Sequence, residues 1–116
     1  MSYNQYLQGR AIQTGCEWRL KIKVTSSALD PFPVTAKFVA QVRDDPDSPV
    51  KTTISTDLGT IIRSDENTIE LHLKGEDTEA WAAGTVVMDV IRTDLAEHVH
   101  LGFDLEIPVK RTITRI

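Results

Sequence analysis

Hydrophobic and polar residues alternate strictly along two stretches of this chain. Trp18, Leu20, Ile22 and Val24 interleave with Arg19, Lys21 and Lys23, and Phe103, Leu105, Ile107 and Val109 interleave with Asp104, Glu106 and Lys110. Successive side chains on a strand point to opposite faces, so each stretch presents one apolar and one charged face. That pattern predicts antiparallel sheets, each with one wet side.

The same period of two returns between these landmarks. In 34–43, Val34, Ala36, Phe38, Ala40 and Val42 share a face, with Val39 the apolar exception on the other. Further strands are expected at 17–25, 50–56, 60–63, 68–74, 85–93, 98–101 and 103–112. They are separated by turns at 26–33, 44–49, 57–59, 64–67 and 94–97, where Pro, Gly, Asp and Asn concentrate. Residues 1–14 are polar apart from a few positions and read as an N-terminal arm carrying Tyr3 and Tyr6, with a single domain over 15–116.

One segment breaks the β pattern. Residues 75–84 predict one or two helical turns closing an end of the fold, with Asp77 or Thr78 as cap, Gly84 as a left-handed exit and Trp81 plugged into the core. Roughly seven or eight short strands with no helix long enough for a parallel crossover predict an all-β, antiparallel two-sheet sandwich.

Composition narrows the classes of function. A chain of 116 residues is one domain in size and buries roughly two-thirds of its extended surface. The net charge of −4, with scattered basic residues, argues against a nucleic-acid partner. Cys16 is the single cysteine, so no internal disulfide or multi-cysteine zinc site forms, and it reads as a small packed residue. No secretory signal or apolar run of membrane-spanning length is expected.

Candidate chemistry is sparse. His98 and His100, two apart on a strand, point to one side, and His72 joins them as a third ligand if its strand is adjacent. Solvated surface histidines are the default for this set, because the His-x-His signal is short and no convergent carboxylates accompany it in the sequence. The carboxylates Asp44, Asp45 and Asp47, and Glu76, Asp77 and Glu79, lie in turn-rich segments where such groups cap loops, and the first set lacks the frame of a calcium loop. Trp18 and Trp81 are expected to be buried and so unsuited to stacking on a sugar. No catalytic residue, cofactor site or metal site is assigned.

Two surfaces invite contacts. Val87 and Ile91 make the second face of strand 85–93 partly apolar, as in a central strand under cover or at an interface. Lys110, Arg111 and Arg115 alternate with apolar and β-branched residues at the C terminus, as in an edge strand guarded by charge or one offered to another chain.

A set of landmarks runs along most of the chain. Gly15 precedes the first alternating strand, 36–43 forms a second strand ending in arginine, and Gly59 precedes a short strand. Ile69, Leu71 and Leu73 follow as an aliphatic strand, then Thr78, Trp81, Gly84 and Asp89, and finally Leu101, Gly102, Val109, Thr114 and Arg115. In this order they resemble the small immunoglobulin-like modules of tail and baseplate regions of tailed bacteriophages, including the N-terminal domain of baseplate upper proteins. The chain departs from that pattern in having Ala96 where relatives often carry a glycine turn, and in ending at Ile116 where baseplate relatives continue, which removes the expectation of host-receptor binding.

The resemblance implies an immunoglobulin-like sandwich acting as a non-catalytic structural or adaptor protein of a phage or prophage particle, working in tail or baseplate assembly through protein contacts. Its implied partners are other virion proteins and further copies of itself, with no nucleic acid and no membrane, in a virion assembled in the bacterial cytoplasm. The candidate contact residues are Tyr3, Tyr6, Val87, Ile91, Lys110, Arg111 and Arg115. Two alternatives stand beside it: a capsid decoration or head-to-tail joining protein, and a small metal- or ligand-binding protein using His72, His98 and His100.

Overall fold

The computed structural model describes residues 6–8, 10–24 and 32–114. Nine strands and one helical turn occur among them: β1 (Tyr6–Gln8), β2 (Ile12–Gln13), β3 (Trp18–Lys23), β4 (Phe38–Arg43), β5 (Val50–Ser55), β6 (Ile61–Asp65), β7 (Thr68–Leu73), α1 (Gly75–Thr78), β8 (Gly84–Arg92) and β9 (Val99–Lys110). They form two sheets. One runs β1-β9-β8-β4-β5, with β2 also paired to β9, and the other runs β3-β7-β6. The all-β, two-sheet expectation holds.

Alternation builds the core. Phe38, Ala40 and Val42 of β4, Val86, Met88 and Val90 of β8, and the five odd-numbered residues from Leu101 to Val109 of β9 all point inward from the larger sheet. Ile69, Leu71 and Leu73 of β7, Ile61 of β6 and Trp18 of β3 meet them from the smaller one, and one buried cluster joins the two layers. Leu20, Ile22 and Val24 pack on its margin, while Arg19, Lys21 and Lys23 keep their charges outward on a strand that is an edge of its sheet. Charge there discourages pairing with a stray strand.

Four expectations are corrected. The larger sheet is mixed, because β1 and β2 lie parallel to β9, with Tyr6 opposite Asp104 and Ile12 opposite Val109. The stretch read as a polar arm therefore holds two strands in its described part, and Ile12 is fully buried in the core. Thr14 stitches this segment to the chain end: its N–H donates to the Lys110 carbonyl, its hydroxyl oxygen accepts from the Thr112 N–H, and its carbonyl accepts from the Thr112 hydroxyl. A two-residue strand carries too little alternation to be read from sequence.

The second correction follows from the first. β9 is flanked by β8 on one side and by β1 and β2 on the other, so the C-terminal strand is no edge. Third, the strands expected at 98–101 and 103–112 are one, since Gly102 bends the ladder without ending it. Register shifts by two residues here: Asp89 faces Asp104 while Ile91 faces His100. Two extra residues, unlike one, leave the inward alternation intact, so Leu101 and Phe103 both face the core against Val90. Gly102 adopts φ +92°, which a side chain would oppose.

Fourth, neither Asp77 nor Thr78 caps the helical turn. Lys74 stands at the N-cap without a side-chain bond, Thr78 is the last helical residue, and Gly84 begins β8 instead of ending the helix. Thr78 is fully buried; its hydroxyl accepts from the Gly15 N–H at 3.1 Å and donates to the Gly75 carbonyl at 3.3 Å. Thr78→Val keeps the shape but orphans the Gly15 N–H, and is expected to cost about 1–2 kcal/mol, measured by urea unfolding. Trp81 is buried as expected, with Lys51 Nζ 5.4 Å from its ring centre.

At the start of β4, Asp94 clamps the chain. Its carboxylate receives Arg92 Nε and Nη2 at 2.8 and 3.0 Å and the Lys37 N–H at 3.2 Å. The Arg92 hydrogen bonds, ahead of the Lys37 backbone bond, hold the carboxyl down at about 2. A carboxyl lowered on folding stabilises at pH above its ordinary 3.8 and loses that contribution as pH falls towards about 2. Asp94→Asn is accordingly expected to flatten the fall in Tm between those limits, read by thermal unfolding across pH. Asp65 and Glu70, also lowered, retain their share of the slope in the variant.

Candidate functional site

The outer face of the larger sheet carries the one cluster of metal-ligating side chains among the described residues: Asp89, His100 and Asp104. Asp89 on β8 lies directly across from Asp104 on β9. The Gly102 bulge then moves His100 one pair closer along that face, so that it stands opposite Ile91 rather than beyond it. In an unshifted ladder His100 would lie one cross-strand pair farther off, roughly 7 Å along the strand.

His100 Nε2 is 3.2 Å from Asp89 Oδ2 and 3.3 Å from Asp104 Oδ1. Its other nitrogen, Nδ1, accepts the Gly102 N–H at 2.9 Å. A ring nitrogen that accepts holds no proton, so the neutral imidazole carries its proton on Nε2, aimed between the two carboxylates. Among the described residues no Lys or Arg touches either aspartate. All three side chains are close to half exposed, leaving room for water beside them.

An open groove of about 320 Å³ adjoins this cluster, bounded by Gln41, Arg43, Pro46, Val87, Asp89 and Asp104. Arg43 is committed within its wall, donating Nη1 to the Ser48 carbonyl at 2.6 Å and Nη2 to Gln41 Oε1 at 3.0 Å. Val87 lines the groove and Ile91 neighbours His100 across the strand pair, both half-buried on β8, which is a central strand.

The histidine set weighed as an alternative, His72, His98 and His100, is not assembled. His72 projects from β7 on the outer face of the other sheet, with the core between it and His100, and its Nε2 lies 2.6 Å from Glu70 Oε1. That hydrogen bond, seconded by nearby Lys21 and Arg19, holds the Glu70 carboxyl below its ordinary range. His98 is exposed and precedes β9. Nothing local in the sequence marks Asp89 and Asp104 as ligands, because each looks like any solvent-facing position of an alternating strand. The signal available in the sequence is Gly102 itself, a glycine at a solvent-facing strand position between His100 and Asp104, where a ladder can bulge.

Asp45 Oδ1 accepts the Asp47 N–H at 2.9 Å and Asp44 pairs with Lys51 at 3.3 Å, so this loop's carboxylates brace their own turn. Cys16 is exposed, contrary to its expected packing. Tyr6 lies in β1 beside Asp104, Lys110 ends β9 opposite Gln13, and Arg111 is exposed. Tyr3 and Arg115 lie outside the described residues. No helix among the described residues is long and apolar enough to cross a membrane.

No protein-family model matches the sequence, and no curated protein matches it.

Proposed function

We propose that this chain is a non-catalytic, immunoglobulin-like assembly module of a bacteriophage or prophage tail or baseplate, working through protein contacts. The observation that carries the reading is the strand order. An immunoglobulin sandwich sets strands A, B, E and D against C, F and G, with C′ added beside C in variable-type domains. Naming β3 to β9 in sequence as B, C, C′, D, E, F and G turns β3-β7-β6 into B-E-D, and β9-β8-β4-β5 into G-F-C-C′. The N-terminal strands then lie against G rather than B.

Fold alone does not specify function. The link to a phage particle rests on the order of sequence landmarks from Gly15 to Arg115. The surface is compatible with a contact role: Val39, Val87 and Ile91 are half-buried on the outer face of the larger sheet, beside the groove. Contact chemistry of this kind places a few apolar anchors inside a polar rim.

The test is quantitative mass spectrometry of particles purified from the source phage or induced prophage. Multiple copies per particle, retained in isolated tails, are the expected result. Absence from the particle, or presence only in heads, overturns the tail assignment.

A further inference from the structure

We propose that Asp89, His100 and Asp104 bind one divalent transition-metal ion, of the zinc, nickel, cobalt or manganese class, on the outer face of the larger sheet. This stands independently of the assembly role. Two carboxylates and an imidazole are a mixed donor set suited to such ions, and three protein ligands leave positions for water.

The geometry is close to that of a loaded site. Ligand atoms that share an ion at about 2.0–2.2 Å lie about 3–4 Å from one another. His100 Nε2 is already 3.2 and 3.3 Å from the two carboxylate oxygens, and all three donor atoms fall within 4.8 Å. Each donor sits on a paired strand, so the three ligand positions are held before binding and the rearrangement left to make is confined to the His100 proton and the Gly102 amide.

Electrostatics supply the drive. Like charges directly opposite on neighbouring strands repel, and here the His100 ring nitrogen stands between Asp89 and Asp104, with Arg43 of the adjoining groove engaged by Ser48 and Gln41. A doubly charged cation cancels both carboxylates at once. Partial exposure of all three side chains lets it enter and complete its shell with water.

In the metal-free form Nε2 carries the ring proton and Nδ1 accepts from Gly102. For Nε2 to ligate, that proton must leave it and Nδ1 must gain one from solvent, with no net change, and the Gly102 N–H must turn away. Gly102, at φ +92° and without a side chain, is the residue whose backbone can rotate at least cost. Loading should therefore switch the His100 tautomer and move the Gly102 amide.

The test is calorimetric titration of EDTA-stripped full-length protein with zinc chloride and with manganese chloride. One ion per chain is expected, with affinity weakened at least about tenfold by His100→Gln or Asp104→Asn and unchanged by His72→Gln or His98→Gln. Nitrogen-detected NMR of the wild-type protein should show His100 passing from the Nε2–H to the Nδ1–H form on zinc addition, and manganese should broaden signals around residues 89, 100 and 104. These wild-type readouts hold even where a variant folds poorly. No saturable binding below about 1 mM, a His100 tautomer that stays fixed, or loss of binding with His98→Gln instead of His100→Gln would overturn the site.

Discussion

Phe38→Ala is expected to lower the stability of this protein by about 4 kcal/mol. The Phe38 ring has no exposed surface, and it meets Phe32 edge-on with ring centres 4.9 Å apart. The size of the loss depends on whether neighbours can move into the space. Phe32 is the obvious candidate, but its N–H is bonded to the Glu66 carbonyl at 2.7 Å and its carbonyl accepts from Arg63 Nε at 2.9 Å. Phe38's own backbone is pinned too, its N–H donating to Thr56 Oγ1 and its carbonyl accepting from the Thr56 N–H.

The cavity therefore stays largely open, which puts the cost at the upper part of the range for such truncations. Domains of this kind hold about 5–15 kcal/mol in total, so a large share of the margin disappears. With a urea slope of about 2 kcal/mol per M, the midpoint should fall by about 2 M. The buried Trp18 and Trp81 report it by fluorescence. Phe38→Leu, which keeps most of the volume, should lose less than half as much; equal losses for both would show that the site collapses freely.

Gly75→Ala is expected to cost about 3 kcal/mol, at the upper end for overpacking. A Cβ at this position would lie 2.4 Å from the Gly15 carbonyl oxygen and 2.8 Å from its carbon. Both obstacles are backbone, with no flexible side-chain end to swing aside. Gly15 cannot retreat without breaking its N–H bond to Thr78 Oγ1, itself buried.

Helix propensity pulls the other way, since alanine is preferred over glycine by about 1 kcal/mol in a helix interior. In a four-residue turn that preference loses to a backbone overlap. Chemical denaturation measures the outcome, with the exposed Glu76→Ala as the control expected to change stability by less than about 0.5 kcal/mol. A neutral or stabilised Gly75→Ala would mean that the β2–β3 corner and α1 do not touch as described.

Phe38→Ala probes a side chain whose inward face alternation encodes, whereas Gly75→Ala probes a backbone approach that alternation does not encode. The metal cluster shares this origin. Asp89 and His100 are eleven positions apart and come together only because β9 carries two more residues than β8 across the bulge. A sequence reader sees His100 beside His98, whereas the sheet pairs it with Asp89 and Asp104. The sandwich likewise parts His72 from His100, because their strands belong to different layers.

The amino-acid order by itself determined the strands from β3 onward apart from the join at Gly102, the inward face of each of them, and the burial of Trp18 and Trp81. Each of these follows from a period of two or from a large apolar side chain seeking cover, and such local rules act wherever the strand ends up. It was also enough to bring Gly75–Thr78 out as a helical turn. Only the tertiary structure decided that β1 and β2 join β9 in parallel, that the C-terminal strand is interior to its sheet, and that two carboxylates converge on His100. Those outcomes depend on which edges remain free once the two layers close and on how a positive-φ glycine resets the register, and both are properties of residues far apart in sequence meeting in space.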